Sequence, residues 1–93
     1  MIVGILSVSV HIPGSHSLKD KRQVIKSLID KTRNRFNIAM AEIGDQELWQ
    51  KALFGVVCIA NERKFVNQIL DKVLNFIRSV PLISLIDYQI EIL

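Results

Sequence analysis

Cysteine, proline, glycine and long apolar runs are all scarce in this sequence. Its 93 residues include one cysteine, two prolines and four glycines. A single thiol cannot form a disulfide within the chain. The longest apolar runs, such as Phe54 to Ala60, fall far short of the roughly 20 residues that span a bilayer. With no charged-then-apolar leader at its start, the chain is expected to be cytoplasmic and to have no membrane partner.

Apolar residues, by contrast, are plentiful. They make up 49% of the chain, and charged residues make up 23%, a balance typical of a folded globular protein. A chain of this length can bury one hydrophobic core but not two, so residues 1–93 are predicted to form a single domain. Cys58 lies in the apolar run Leu53 to Ala60, which predicts a buried core thiol and not a nucleophile.

The first third of the chain predicts a strand, a turn and a helix. Ile2 to Ile12 is rich in Ile and Val alternating with Ser, and it ends at Pro13-Gly14, as strands before turns do. Ser17 suits a helix N-cap, with Asp20 three residues later as its capping partner. Apolar residues at helical spacing then predict an amphipathic helix from Leu18 to about Arg35.

The remaining chain predicts three more strands and a second helix. The strands are predicted over Asn37 to Ile43, Leu53 to Ala60 and Leu82 to Leu93, and the helix, capped by Asn61, over Glu62 to about Ser79. The order β-α-β-β-α-β is that of the ferredoxin-like α+β fold, with two helices on one face of a four-stranded antiparallel sheet. The first and third strands are the most apolar and are expected at its centre. Alternation in the last strand predicts that Ile86, Tyr88, Ile90 and Ile92 face inward.

Positive charge is concentrated in the first helix. Between Leu18 and Phe36 there are seven basic and two acidic residues, a net charge of +5, which leaves −2 for the rest of a chain whose total is +3. Four of the basic residues form a band beside the apolar side of the helix: Lys19, Arg22, Lys26 and Arg33. Such a band is either a solvated helix surface or a contact surface for a polyanion such as RNA.

The first turn of this helix favours an anion. The backbone N–H groups there lack helical acceptors, and Ser15, Ser17 and Lys19 add hydroxyl and ammonium groups. This combination resembles a phosphate cradle. Lys21 projects instead toward the apolar side, where it either extends its ammonium to solvent or pairs with a carboxylate. We favour an ion pair with Glu42, Asp87 or Glu91.

Catalytic and metal-binding patterns are weak. His11 and His16 lie on different predicted elements without a cysteine at ligand spacing, so no metal site and no cofactor are predicted. His11 with Glu42 is the one conceivable acid–base pair, and a deep pocket joining them would distinguish a small enzyme from a binding protein. Trp49 either clamps its loop onto the domain or is an exposed binding anchor.

The sheet face opposite the helices is the second candidate surface. It is predicted to carry Val3, Ile5, Phe54, Val56 and Cys58, which is too apolar to remain in water over a large area. A homodimer formed through this face, or by edge pairing of the fourth strand, would cover it. The central strands lack the aromatic pattern that stacks RNA bases, so a bound RNA is expected to be held through its backbone and shape.

Three segments of the chain resemble the YlxP-like family of small uncharacterised bacterial proteins. They are Ser15 to Arg22 (SHSLKDKR), Arg35 to Glu42 (RFNIAMAE) and Leu48 to Asn61 (LWQKALFGVVCIAN). The resemblance covers essentially the whole chain and implies a ferredoxin-like fold and cytoplasmic residence. Genes of this family often lie beside those of translation initiation and ribosome-binding factors, which implies a role with RNA or the small ribosomal subunit.

Together these observations predict a non-catalytic module that binds ribosomal RNA or a ribosomal subunit through its first helix. The alternative is a protein-interaction domain that dimerises through its open sheet face, and a small enzyme is the third hypothesis.

Overall fold

The computed structural model describes residues Met1–Leu93. Its elements are β1 (Ile2–His11), α1 (Leu18–Arg35), β2 (Ala39–Gly44), β3 (Lys51–Ala60), α2 (Arg63–Arg78) and β4 (Ser84–Ile92). The strands form one antiparallel sheet in the order β2-β3-β1-β4. The predicted ferredoxin-like arrangement is therefore confirmed, with the first and third strands at its centre. Neither helix is long and apolar enough to cross a membrane.

The core lies between the sheet and the two helices. It is built mainly from β1, β3 and α2, whose fully buried residues include Leu6, Val8, Val10, Ala52, Phe54, Val56, Val66, Leu70, Val73 and Ile77. The helix α2 packs on β1, β3 and β4, whereas α1 packs on β2 and on α2. The close approach of α2 requires glycine at position 4, because a Cβ atom there would collide with Val66 and come within 2.9 Å of Leu70 Cδ1.

The predicted facing of β3 is wrong. Phe54 and Val56 are completely buried and Cys58 nearly so, on the side that the helices cover. The pairing register explains the difference. Ile5 on the open face pairs with Val57, and directly opposed residues lie on the same face of a sheet. The even-numbered residues of β3 therefore point to the helix side. In a strand that is apolar on both faces, the sequence holds no signal for which face is buried. Val3 and Ile5 do lie on the open face, where their partners are Ile59 and Val57.

A bulge changes the predicted alternation of β4. Val8 pairs with Tyr88, but beyond Ser9 the register shifts so that Val10 pairs with Leu85. The extra residue, Ile86, is 51% exposed, and Leu85 packs against the core in its place. Because a bulge inserts one residue into one strand, it reverses the faces beyond it. The prediction that Ile86 faces inward is therefore wrong, whereas Ile90 packs against the core as expected.

The two helix starts differ in how they are capped. The hydroxyl oxygen of Ser17 accepts a hydrogen bond from the Asp20 N–H at 3.1 Å, so the predicted start of α1 is confirmed. The helix α2 begins one residue later than predicted, with Glu62 and not Asn61 at its N-cap and no side-chain capping bond.

Candidate functional site: the basic side of α1 and the adjoining loop

The predicted basic band lies on the solvent side of α1. All four of its residues are exposed: Lys19, Arg22, Lys26 and Arg33. They remain on the surface because Ile25, Leu28 and Thr32 turn the other side of the helix toward the interior. The structure thus brings the four predicted residues to one accessible side of the helix.

Few of these charges are neutralised within the protein. Lys26 Nζ lies 3.8 Å from Asp30 Oδ2, and both side chains are well exposed, so this pair contributes little in water. Five other basic residues of α1 have no carboxylate oxygen within 4.0 Å: Lys19, Arg22, Lys31, Arg33 and Arg35. The surface of α1 therefore carries a net positive charge that no neighbouring element offsets.

The C-terminal end of α1 extends this surface beyond the predicted residues. Arg33, Asn34 and Arg35 line a polar depression of about 680 Å³ where the helix turns into β2. The guanidinium of Arg35 lies 5.1 Å from the ring centre of Phe76 on α2, which holds it by a cation–π contact. Of these residues, sequence reasoning assigned only Arg33 as an RNA contact and placed Arg35 on the other flank of the helix, although the run from Arg33 to Asn37 (RNRFN) was a usable signal.

The predicted phosphate cradle at the start of α1 is not open to a ligand. Ser15 is only 1% exposed, and its hydroxyl donates to the Ser17 carbonyl oxygen at 3.1 Å. Asp20 Oδ2 accepts a hydrogen bond from the His16 N–H at 3.2 Å. The negative group that this helix end favours is thus supplied by the chain itself. The assignment of Ser15 to anion binding is therefore wrong. Ser17 is half-buried and its hydroxyl oxygen caps the helix, whereas Lys19 is exposed.

Lys21 forms the predicted structural ion pair. Its side chain is 1% exposed, and its Nζ lies 3.0 Å from Glu42 Oε2 on β2. The two atoms are close but poorly aligned, so Oε2 accepts no well-directed hydrogen bond. The ammonium donates to the Asp45 carbonyl oxygen at 2.6 Å, and Asp45 has a positive φ of 61°. Lys21 therefore fastens α1 to the β2–β3 loop and is not available to a ligand.

The candidate acid–base pair is not assembled. Glu42 pairs in register with the buried Phe54 and contacts Lys21, so it lies on the helix side of the sheet. His11 is exposed and follows Ser7 and Ser9 on the open face. The two side chains lie on opposite faces of the sheet, so the conceivable His11–Glu42 pair is not formed. No group of three or more His, Cys, Asp or Glu side chains is arranged so that it could hold a metal ion.

The loop before β3 holds an exposed tryptophan. Trp49 is 55% exposed, so it does not clamp the loop. Gln50 fastens the loop instead, since its Nε2 donates to the Ser15 carbonyl oxygen at 3.0 Å. His11 and His16 lie beside Trp49 in a depression of about 640 Å³. Sequence reasoning placed these residues on separate elements and did not predict that they meet.

Cys58 belongs to the core and not to the site. Its side chain is almost fully buried. Desolvation raises the pKa of this thiol, while a backbone hydrogen bond at Gly4 acts in the opposite direction. Since the thiolate is the reactive form, the predicted inert core thiol agrees with its surroundings.

Fold and surface together define a small ferredoxin-like domain with an uncompensated cationic helix. Residues 3–90 match the family described as Protein of unknown function (DUF503), and the chain belongs to that family. It is also 35% identical over 80 residues to "Uncharacterized protein YlxP" of Bacillus subtilis (strain 168), a match that covers 86% of this chain and 87% of that protein. The resemblance drawn from the sequence segments is thereby confirmed.

Proposed function

We propose that this protein is a non-catalytic binding module that contacts RNA, in a cytoplasmic and ribosome-associated setting, through the basic side of α1. The observation that carries the proposal is that four exposed cations, Lys19, Arg22, Lys26 and Arg33, lie along one side of this helix, and only Lys26 has a carboxylate within 4.0 Å. Uncompensated cations grouped on one element attract the phosphate backbone of nucleic acid and release its counterions.

The arrangement of the predicted band suits contact with the phosphate backbone of RNA. Lys19, Arg22, Lys26 and Arg33 follow one another at three-, four- and seven-residue intervals, which keeps them near one line along a helix. That line is about 21 Å long at 1.5 Å per residue. It offers several phosphates a cation each without requiring any particular base sequence.

A filter-binding titration against ribosomal RNA at several salt concentrations tests the proposal. The triple substitution of Lys19, Arg22 and Lys26 by Glu is expected to weaken binding. It should also make the slope of log K against log salt shallower by about two to three, since each lost phosphate contact contributes roughly 0.7 to 0.9. The matched control is the triple substitution of Arg63, Lys64 and Lys72, exposed cations on α2, by Glu. A salt-independent affinity, or equal loss in the control, would contradict the proposal.

Association with ribosomes requires a separate measurement. The tagged protein, purified from cells, is expected to co-sediment with ribosomal subunits at low salt and to dissociate at high salt, because screening shortens the reach of exposed charges. The triple variant should remain at the top of the gradient. Co-sedimentation that persists in this variant would assign the contact to another surface.

Self-association through the open sheet face is a second candidate function. Ile59 is 56% exposed there, and Val57 and Ile43 are also exposed, with Val3 and Ile5 beside them. Polar residues on β4, such as Asp87 and Glu91, flank this apolar centre, as a polar rim does in many interfaces. The four strands have 10, 6, 10 and 9 residues and span roughly 550 Å². This is somewhat below the roughly 800 Å² that each partner buries in a standard interface.

Sedimentation at increasing protein concentration tests self-association. The wild-type protein is expected to form dimers, and Ile59→Lys is expected to shift it to monomers because a charge would be buried in the interface. Leu82→Lys, a change at an exposed apolar residue outside the sheet, is the control. A strict monomer at high concentration would contradict this candidate without affecting RNA binding.

A further inference from the structure

The β2–β3 loop carries Trp49, the only tryptophan of the chain. Its side chain does not pack into the core. More than half of the Trp49 side chain is in solvent, and its ring takes part in neither the aromatic pair nor the cation–π contacts of the fold. A large aromatic ring usually contributes to folding by being buried. Here Trp49 is left with most of its apolar area available to a ligand.

The surroundings of Trp49 combine apolar, hydrogen-bonding and charged groups. The depression of about 640 Å³ beside it is also lined by His11, His16, Glu47 and Lys51. This volume lies within the range of ligand pockets. The imidazoles and the carboxylate can exchange hydrogen bonds with the edge of a nucleobase, and the Lys51 ammonium can contact a phosphate.

Trp49 and the basic helix are held in a fixed relation. Gln50, the next residue, donates to carbonyl oxygens of Pro13 and Ser15 at 3.3 and 3.0 Å, in the segment that leads directly into α1. Lys21 adds a second attachment, from α1 to the Asp45 carbonyl oxygen. These attachments place the Trp49 loop against the segment that leads into the N-terminal end of α1.

We infer that Trp49 is a stacking platform for an unpaired base of the RNA strand whose phosphates lie along α1. This inference rests on the function proposed above and adds a ligand class, single-stranded RNA, and a base contact outside the sheet. Exposed aromatic rings beside basic surfaces bind single strands in this way. The exposed cations of α1 and Lys51 beside Trp49 favour a polyanion, and RNA is the polyanion that also supplies flat bases for stacking.

Intrinsic fluorescence tests the inference directly, because Trp49 is the only tryptophan. The probe is a mixed-sequence single-stranded RNA of twelve nucleotides, compared with a strand of equal length in which the bases are replaced by abasic sites. The base-containing strand is expected to quench the fluorescence, since stacking brings a base onto the ring. The abasic strand should bind α1 through its phosphates and leave the fluorescence nearly unchanged.

Variants measured by anisotropy of the labelled strands separate stacking from charge. Trp49→Leu is expected to weaken binding of the base-containing strand about tenfold, in line with the loss of one stacked base, and to leave the abasic strand unaffected. Trp49→Phe should retain most of the affinity. Gln46→Ala, at an exposed position of the same loop outside the depression, is the control for loop composition.

The possible outcomes distinguish the inference from the proposed function. One outcome is that RNA binding depends on Lys19 and Arg22, is equal in wild type and Trp49→Leu, and does not quench the wild-type fluorescence. This outcome overturns the inference and leaves the proposed function standing. Absence of RNA binding overturns both. A fluorescence change that follows protein concentration without RNA identifies Trp49 as a contact between copies of the chain and also overturns the inference.

Discussion

The two helices of this fold differ in what they bury. The helix α2 buries five residues, all apolar: Val66, Leu70, Val73, Leu74 and Ile77. The helix α1 is two residues longer, yet it buries only Ile25 and Leu28 with the polar Lys21 and Thr32. Burial of apolar area is the main stabilising term in folding, so α2 supplies more of the core and α1 is free to carry charge.

The largest expected effect is loss of stability from α2. Leu70 is completely buried and approaches the sheet at Gly4, so Leu70→Ala is expected to lower the free energy of unfolding by about 2–5 kcal/mol. Urea denaturation measures it. Phe65→Ala, at a partly exposed position on the same helix, is the control and should cost much less. Similar losses in both variants would contradict the assignment of α2 as the core helix.

The next effect concerns the polar anchor of α1. Replacing Lys21 by Met removes the partner of Glu42 and is expected to cost about 2–3 kcal/mol, below the full penalty for a buried pair because Glu42 still reaches solvent. The double variant Lys21→Met with Glu42→Leu should recover part of this loss. No recovery in the double variant would indicate that the contact with Asp45, and not the ion pair, stabilises this end of α1.

A smaller effect is expected at the start of α1. Ser17→Ala removes the acceptor of the Asp20 N–H and should lower the free energy of unfolding by about 1 kcal/mol. The matched control is Ser27→Ala, an exposed serine within the same helix, which should be neutral or slightly stabilising because alanine has the higher helix propensity. Equal effects at both serines would argue against the capping role.

The smallest effect on stability is expected on the charged side of α1. The Lys19, Arg22 and Lys26 to Glu variant should unfold within about 0.5 kcal/mol of wild type, as surface substitutions usually do, while its affinity for RNA falls. Comparing urea midpoints with binding data for the same samples measures both. A large loss of stability would mean that this side of the helix supports the fold.

Local interactions explain the accurate predictions. Ser17 and Asp20 are three residues apart, so the start of α1 follows from chain geometry that any nearby sequence window contains. Lys21 fell on the apolar side of the helical wheel, where a buried ammonium requires a partner. Glu42 was one of three carboxylates that the sequence left open, because choosing among them requires the relative position of α1 and β2.

The candidate site was predicted only in part, because one portion of it depends on local sequence and the other on contacts between distant segments. The basic band of α1 is a property of one helix, and its exposure follows from the apolar stripe on the other side. The depression at Trp49 joins residues from β1, from the segment before α1 and from the β2–β3 loop. No spacing along the chain connects them, so their proximity could not be predicted.

The amino-acid sequence alone determined the helices and strands, their order along the chain, the ferredoxin-like arrangement and the charge of α1. These features depend on spacing and composition within short stretches of the chain. Folding in three dimensions selected the buried face of β3, the bulge at Ile86, the partner of Lys21 and the exposure of Trp49. These features arise from pairing and packing between distant segments, where cross-strand register and helix placement outweigh local preference.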